Sequence, residues 1–155
     1  MKKTIIAAVI LVVVLGSSFS LKAQSTADAM KAEALREMQV GRYGEAIDLL
    51  NRYISARPQQ ADGYNLRGLC YEKRQQFEYA VYDYRSARKL EPSNKDINAN
   101  LERATQTWYT LLYNEIEGYK REIAINPNNP ENYLNIGKCY KNLGQWPVAE
   151  EWYDK

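Results

Sequence analysis

Histidine is absent from this 155-residue sequence, and cysteine occurs only twice. Without histidine the chain lacks the commonest general base and the commonest metal ligand of proteins. Two cysteines alone cannot build a structural zinc site. No glycine-rich loop of the kind that holds phosphate is present, and the acidic pair Glu150 and Glu151 points apart on a predicted helix. We therefore expect no catalytic residues, no metal site and no cofactor, and we predict that the protein is not an enzyme.

The chain also lacks a large net charge of either sign once residues 1–23 are set aside. The chain has 21 Lys and Arg against 19 Asp and Glu, a formal net charge of +2. Lys2, Lys3 and Lys22 account for three of the basic residues, which leaves 18 basic and 19 acidic residues, a net charge of −1, after residue 23. A near-neutral body offers no electrostatic surface for nucleic acid, so we predict no nucleic-acid partner.

An apolar run, IIAAVILVVVLG from Ile5 to Gly16, lies near the N-terminus. It follows the basic MKK and precedes the polar SSFSLKAQS, an order typical of a bacterial export signal. A membrane-spanning helix needs about 20 apolar residues, more than this run provides. We predict a signal peptide over residues 1–23 and an exported protein in the periplasm or cell envelope, with no membrane insertion after signal removal. The alternative is an uncleaved N-terminal helix, extended to Leu21, that anchors the protein.

What the chain does have is tyrosine, thirteen times, at regular intervals. Pro58, Pro92 and Pro127 are separated by 34 and 35 residues. At the summed separation of 69, seven of the 21 positions from 64 to 84 find an identical residue, where chance gives about one or two. The identical pairs are Tyr64 and Tyr133, Gly68 and Gly137, Cys70 and Cys139, Tyr71 and Tyr140, Gln76 and Gln145, Ala80 and Ala149, and Tyr84 and Tyr153. A period in this range indicates stacked repeats.

The spacing within a repeat predicts a pair of packed helices. Tyr64, Gly68 and Tyr71 share one helix face, and Ala80 and Tyr84 share a face of the next helix. The glycine and the alanine remove side-chain bulk, so two helices can approach closely while the aromatic rings fill the space beside them. Such a hairpin cannot bury its apolar face alone, so several hairpins must stack.

At these residues the sequence resembles the tetratricopeptide repeat family, in its exported bacterial type. The resemblance lies in YNLRGLCY and FEYAVYDYRSARKLEP (64–71 and 77–92), in YLNIGKCY and WPVAEEWY (133–140 and 146–153), and in GRYGEAIDLLNRYISARP (41–58). It implies an all-α fold, a right-handed α-α solenoid of stacked helix-turn-helix repeats, over residues 24–155. The expected repeats are 27–60, 61–94, a divergent 95–129 and an incomplete 130–155.

The divergent repeat has no glycine where its turn is expected. Its apolar residues continue as an unbroken helical stripe from Ile97 to Ile123. One interpretation is a single helix of about 30 residues. The other keeps a turn near Thr105 to Thr107. We favour the turn, because a straight rod would push the fourth repeat out of the stack.

The resemblance also implies a binding surface. In this family the first helices of the repeats line a concave groove that takes peptides or partner segments. One subfamily clamps the C-terminal carboxylate of a peptide with lysine and asparagine, and Lys31 fits its first lysine. Leu35 stands where the matching asparagine belongs, so we do not expect that clamp. The groove candidates carried onto this chain are Lys31, Leu35, Asn65, Leu69, Glu72, Leu134, Lys138 and Lys141.

The expected function is therefore that of a non-catalytic protein–protein interaction scaffold in the bacterial cell envelope, with a protein or peptide partner. The alternative is the N-terminal sensor or anchoring region of a longer signalling, cell-wall-binding or enzymatic protein. Because the fourth repeat is incomplete, we expect Leu143, Val148 and Trp152 to be partly uncovered, and residues 24–155 to self-associate or fray at this end. We expect Cys70 and Cys139 to be buried, unpaired thiols.

Overall fold

The computed structural model describes residues 26–155, and over this range the chain is entirely helical apart from its turns. The predicted all-α fold of helix-turn-helix repeats is confirmed. The predicted signal peptide lies outside the described residues. Within them, no helix combines the length and the apolar character needed to cross a membrane. The helices are α1 (residues 26–39), α2 (Tyr43–Ala56), α3 (Ala61–Lys73), α4 (Phe77–Leu90), α5 (Lys95–Ile125), α6 (Pro130–Asn142) and α7 (Trp146–Tyr153).

The helices form two compact units, divided after Leu101. The first unit contains α1 to α4 and the beginning of α5, up to Leu101. The second unit runs from Glu102 to Lys155 and contains the remainder of α5 with α6 and α7.

Asparagine side chains cap the N-termini of two of the helices. The Asn94 carboxamide oxygen accepts hydrogen bonds from the backbone N–H groups of Asp96 and Ile97 at the start of α5. The Asn129 oxygen accepts from the backbone N–H of Glu131 in α6, where Pro130 fills a first-turn position that needs no donor. These caps satisfy backbone donors that have no partner inside the helix.

Three helices end in the same tight turn, in which one residue takes a left-handed conformation. That residue is Gly41 after α1 (φ 78°), Gln75 after α3 (φ 60°) and Gly144 after α6 (φ 76°). In each turn the next backbone N–H donates to the carbonyl five residues earlier, at 2.9 Å, which completes the helix end. Glycine adopts this conformation without strain, whereas Gln75 does not.

The core of the first unit joins α1 to α4 through small residues and one large ring. Ala34, Ala46 and Leu50 are fully buried in a cluster that includes Cys70. Between α3 and α4, a Cβ atom built on Gly68 would lie 2.7 Å from the ring of the fully buried Tyr84. The close approach predicted for these two helices is therefore confirmed, with the Tyr84 ring packed between them.

The core of the second unit repeats this contact with different neighbours. Leu112 and Ile116 of α5 pack with Ile136 and Cys139 of α6. Tyr153 of α7 lies directly against Gly137, as predicted from the alignment with the first hairpin. Three apolar residues that we expected to be partly uncovered are so: Leu143, Val148 and Trp152. The predicted self-association at this end stays a prediction.

Both thiols occupy the buried positions that the repeat alignment assigns to them. Cys70 is fully buried and Cys139 is 5% exposed, and both are free. Burial raises the pKa of each thiol to about 11. They therefore act as small apolar fillers, and a thiol with so high a pKa is a poor nucleophile near neutral pH.

The turn favoured near Thr105 to Thr107 is wrong, since α5 is one helix of 31 residues from Lys95 to Ile125. Between Lys95 and Glu117 the chain has neither glycine nor proline, so nothing interrupts the helix. The threonine hydroxyls do not start a turn either. Those of Thr107 and Thr110 donate to the carbonyls four residues earlier, within the helix. The unbroken apolar stripe was the decisive signal.

Candidate partner-binding surface

Two polar contacts bring three helices of the first unit to a common surface. The ammonium group of Lys31 on α1 lies 2.8 Å from a carboxylate oxygen of Asp62 on α3. The carboxamide of Asn100 on α5 donates to the carboxamide oxygen of Asn65 on α3, at 3.0 Å. Helix spacing then places neighbouring positions on the same faces. We call this the first-helix surface, and its residues are Lys31, Leu35, Asp62, Asn65, Leu69, Glu72 and Asn100.

Asp62 is held from two sides. Its second oxygen accepts a hydrogen bond from the hydroxyl of the fully buried Tyr53, at 3.0 Å. Burial would raise the pKa of Asp62, but the hydrogen bonds from Lys31 and Tyr53 outweigh it and leave the pKa below its ordinary value. The hydrogen bond to Asp62 raises the pKa of Lys31. The two groups therefore stay charged and paired at neutral pH.

Of the remaining positions, Glu72 is hydrogen bonded within the protein, whereas Leu35 and Leu69 are at least partly exposed. Glu72 accepts a hydrogen bond from the hydroxyl of Tyr84, at 2.8 Å, so its carboxylate satisfies the polar group of a buried tyrosine. Leu35 is 39% exposed and Leu69 is partly exposed. Each leucine follows a polar contact residue by one helical turn, Leu35 after Lys31 and Leu69 after Asn65. The surface thus alternates between internally paired polar groups and uncovered apolar side chains.

The second unit holds the other three candidates on α6. Lys138 donates to Asn135 one turn earlier, and the Lys141 ammonium lies 5.6 Å from the centre of the Trp146 ring. Leu134 is 45% exposed and lines a pocket of about 390 Å³. The other residues around this pocket are Pro130, Glu131, Tyr133, Trp152, Tyr153 and Lys155.

The structure brings five of the eight predicted residues to the first-helix surface, on α1 and α3. Asp62 and Asn100 were missed by the sequence analysis. A signal for them existed, because they lie 31 and 35 residues after Lys31 and Asn65, close to one repeat period. A charged or amide residue one period from another on first helices is a candidate for direct pairing across the stack.

None of these residues forms a constellation with catalytic geometry in the described part of the chain. Over residues 26–155 no group of three or more Cys, Asp or Glu side chains could hold a metal ion. The polar groups of the first-helix surface are engaged in pairs that stabilise the packing of α1, α3 and α5. What this surface can do chemically is contact another chain through its leucines.

Comparison with known proteins agrees with the repeat pattern. A family model described as tetratricopeptide repeat matches residues 119–151, which cover the end of α5, all of α6 and most of α7. The photosystem I assembly protein Ycf3 of Synechococcus sp. (strain CC9605) is 30% identical over 100 residues. That match covers 63% of this chain and 57% of the Synechococcus protein.

Solved structures share the fold at low sequence identity. MamA matches with a TM-score of 0.52 and 21% identity, over 86% of this chain and 73% of its own. The first tetratricopeptide domain of Spaghetti (RPAP3), solved with the HSP90 peptide SRMEEVD, matches with a TM-score of 0.54 and 23% identity, over 77% of this chain and 94% of its own. The chain therefore matches a tetratricopeptide repeat at residues 119–151, and it shares the helical-repeat fold of these solved structures.

Proposed function

We propose that this protein is a non-catalytic interaction scaffold of the bacterial cell envelope, and that it binds a peptide or a partner segment on the first-helix surface. The observation that carries the proposal is the pair of contacts between Lys31 and Asp62 and between Asn65 and Asn100. They line up three first helices side by side, with the exposed Leu35 and the partly exposed Leu69 between the polar pairs. A continuous surface of this kind suits a peptide-length ligand.

The relatives support a binding role of this type. The Spaghetti domain is solved with a bound peptide, and the Synechococcus protein is named as a photosystem I assembly protein. For this chain we propose the corresponding general role, holding a partner protein during assembly or localisation. The cell-envelope location rests on the export-signal pattern of residues 1–23.

Site-specific photocrosslinking in a bacterial host tests the binding surface. A photoreactive phenylalanine analogue is placed at Leu35, and a matched analogue replaces Tyr82, a 70%-exposed residue of α4 that is not part of the first-helix surface. We expect one dominant crosslinked partner from position 35 and none of it from position 82. The crosslinked peptide, identified by mass spectrometry, should then bind the purified protein. Equal crosslinking at both positions would contradict the proposal.

The location is tested separately. Cell fractionation with mass spectrometry of the protein's N-terminus should find it in the envelope fraction and starting near Gln24. An intact N-terminus at Met1 in the membrane fraction would support the anchored alternative. Recovery in the cytoplasmic fraction would contradict both.

A further inference from the structure

The polar groups of the first-helix surface are already occupied by one another. Lys31 is paired with Asp62, Asn65 with Asn100, and Glu72 with the hydroxyl of Tyr84. A partner that needs any of these groups must first break a hydrogen bond that the protein has already formed. Such an exchange leaves a displaced partner unsatisfied, and this reduces the gain from the new contact.

Asp62 stands where an incoming carboxylate would have to bind. Its oxygens lie 2.8 Å from the Lys31 ammonium and 3.0 Å from the Tyr53 hydroxyl, so it fills the site with the charge that an acidic ligand would bring. An approaching carboxylate would meet the negative charge of Asp62 as well as the positive charge of Lys31. Lys31 and Asp62 balance each other, and Glu72 adds a second acid to the surface, so the surface offers no net attraction to an acidic peptide.

The leucines, by contrast, gain from being covered. Leu35 is 39% exposed, and Leu69 is partly exposed at the equivalent position one repeat later. Apolar side chains that stand between satisfied polar pairs form the kind of patch that a complementary apolar group buries at no electrostatic cost. The leucines therefore favour an apolar occupant, and the acids of the surface disfavour an acidic one.

We propose that the first-helix surface binds a partner peptide through an uncharged apolar side chain of leucine size at Leu35 and Leu69, and that Asp62 keeps partner carboxylates away from Lys31. This inference rests on the proposed function, because it specifies the ligand class of the same surface. It sets the chain apart from the Spaghetti domain, whose bound peptide SRMEEVD has an acidic C-terminal end.

Two probes test the proposal on the purified protein by fluorescence anisotropy. The first is labelled SRMEEVD with a free C-terminus. The second is the tightest binder selected from a displayed library of random 12-residue peptides. We expect the selected peptides to be rich in Leu, Ile, Met or Phe without an acidic C-terminus, and SRMEEVD to bind at least tenfold more weakly than the selected peptide.

Substitutions separate the two parts of the proposal. Leu35→Asp and Leu69→Asp should each weaken the selected peptide at least tenfold, whereas Tyr82→Asp, the matched change on exposed α4, should leave it within twofold. Asp62→Ala, or Asp62→Asn if the alanine variant unfolds, should strengthen SRMEEVD at least fivefold because it releases Lys31.

The outcomes distinguish this inference from the proposed function. Selection of acid-terminated peptides whose binding depends on Lys31 would overturn the inference and leave the scaffold function standing. An unchanged affinity of SRMEEVD for the Asp62 variants would overturn the exclusion of carboxylates. A library that enriches no peptide would overturn both the inference and the proposed function.

Discussion

The hairpins α3–α4 and α6–α7 share seven identical residues at a separation of 69, yet they differ at the pair that Arg67 and Asp83 form in the first of them. In the first hairpin Arg67 forms two hydrogen bonds to the carboxylate of Asp83, at 2.8 and 2.7 Å, and Asp83 is 1% exposed. The positions 69 residues later are Ile136 and Trp152. Ile136 is fully buried, and Trp152 packs against its cluster. One fold therefore accepts either an ion pair or an apolar pair at the same place.

The comparison indicates that the two residues of the pair must match each other in polarity, and that an ion pair is not required at this place. Burial raises the pKa of Asp83, and the hydrogen bonds from Arg67 offset this only in part. Arg67 also donates to the carboxamide oxygen of Asn51, at 2.6 Å, so α2, α3 and α4 all meet at this guanidinium. The free-energy cost of removing two ions from water offsets much of their electrostatic attraction. A protein with an apolar pair of similar volume is therefore often as stable.

The largest expected effect comes from breaking the ion pair on one side. Asp83→Leu leaves the Arg67 guanidinium, 18% exposed, without its carboxylate in the core. We expect the free energy of unfolding to fall by about 3–5 kcal/mol. Urea denaturation followed by circular dichroism measures the loss.

The double variant Arg67→Ile with Asp83→Trp transfers the pair of the second hairpin to the first. It should recover most of the loss and lie within about 2 kcal/mol of the unmodified protein. If the double variant is no more stable than Asp83→Leu, the two hairpins are not interchangeable at this pair and the comparison fails.

The second effect depends on how freely the packed tyrosine can move. Tyr84 is fully buried against Gly68, whereas Tyr153 is 42% exposed against Gly137. Gly68→Ala should therefore destabilise the protein by about 1–2 kcal/mol, since overpacking exceeds the gain in helix propensity. Gly137→Ala should change stability by only about 0.5 kcal/mol, because the Tyr153 ring can turn outwards. Equal losses in thermal unfolding would show that ring exposure does not decide the cost.

The sequence predicted the hairpins well because their signals are local and repeated. Both residues of each close helix contact can be identified from the sequence, as Gly68 with Tyr84 and as the same two residue types 69 positions later. Asparagine and proline mark the connections between helices. Helix α5 was misjudged because stack regularity was given more weight than composition. A segment without glycine or proline and with an unbroken apolar stripe stays helical, whatever length the neighbouring repeats have.

The first-helix surface was only half predictable. The positions of Lys31, Leu35, Asn65 and Leu69 follow from the repeat, so they could be named from the sequence. The sequence could not show which of these residues are free to bind a partner, because pairing between helices depends on the length and direction of the side chains. Asp62 decides the state of Lys31, and that contact between residues 31 apart appears only when the helices are placed side by side.

A third, smaller effect concerns the helix-ending turns. Gln75 takes the left-handed conformation that Gly41 and Gly144 take in the other two turns. Gln75→Gly should stabilise the protein by about 0.5–1 kcal/mol, the strain relieved exceeding the added freedom of the unfolded chain. The reverse change, Gly144→Gln, should destabilise by a similar amount. The melting temperatures of the two variants should therefore shift in opposite directions, and a shift in the same direction would contradict the strain argument.

The smallest effect concerns Asp62 and its counterpart in α6, Glu131, each the second residue of its helix. Asp62 has a pKa below its ordinary value of 3.8 because Lys31 and Tyr53 stabilise the carboxylate, although burial opposes them. A group whose pKa falls on folding contributes stability that is complete above its unfolded value and is lost as the pH falls through its folded value. Because the Asp62 side chain is 42% exposed, solvent screening limits this contribution to about 0.2–1 kcal/mol.

Asp62→Asn should therefore lower the free energy of unfolding slightly at pH 7, and the difference from the unmodified protein should close below about pH 4. Glu131→Gln is the matched control, since it removes a first-turn carboxylate at the equivalent position without touching Lys31. Urea midpoints across pH 2.5–7 check this, and a difference that persists unchanged at pH 2.5 would mean that the Asp62 carboxylate does not contribute through its charge.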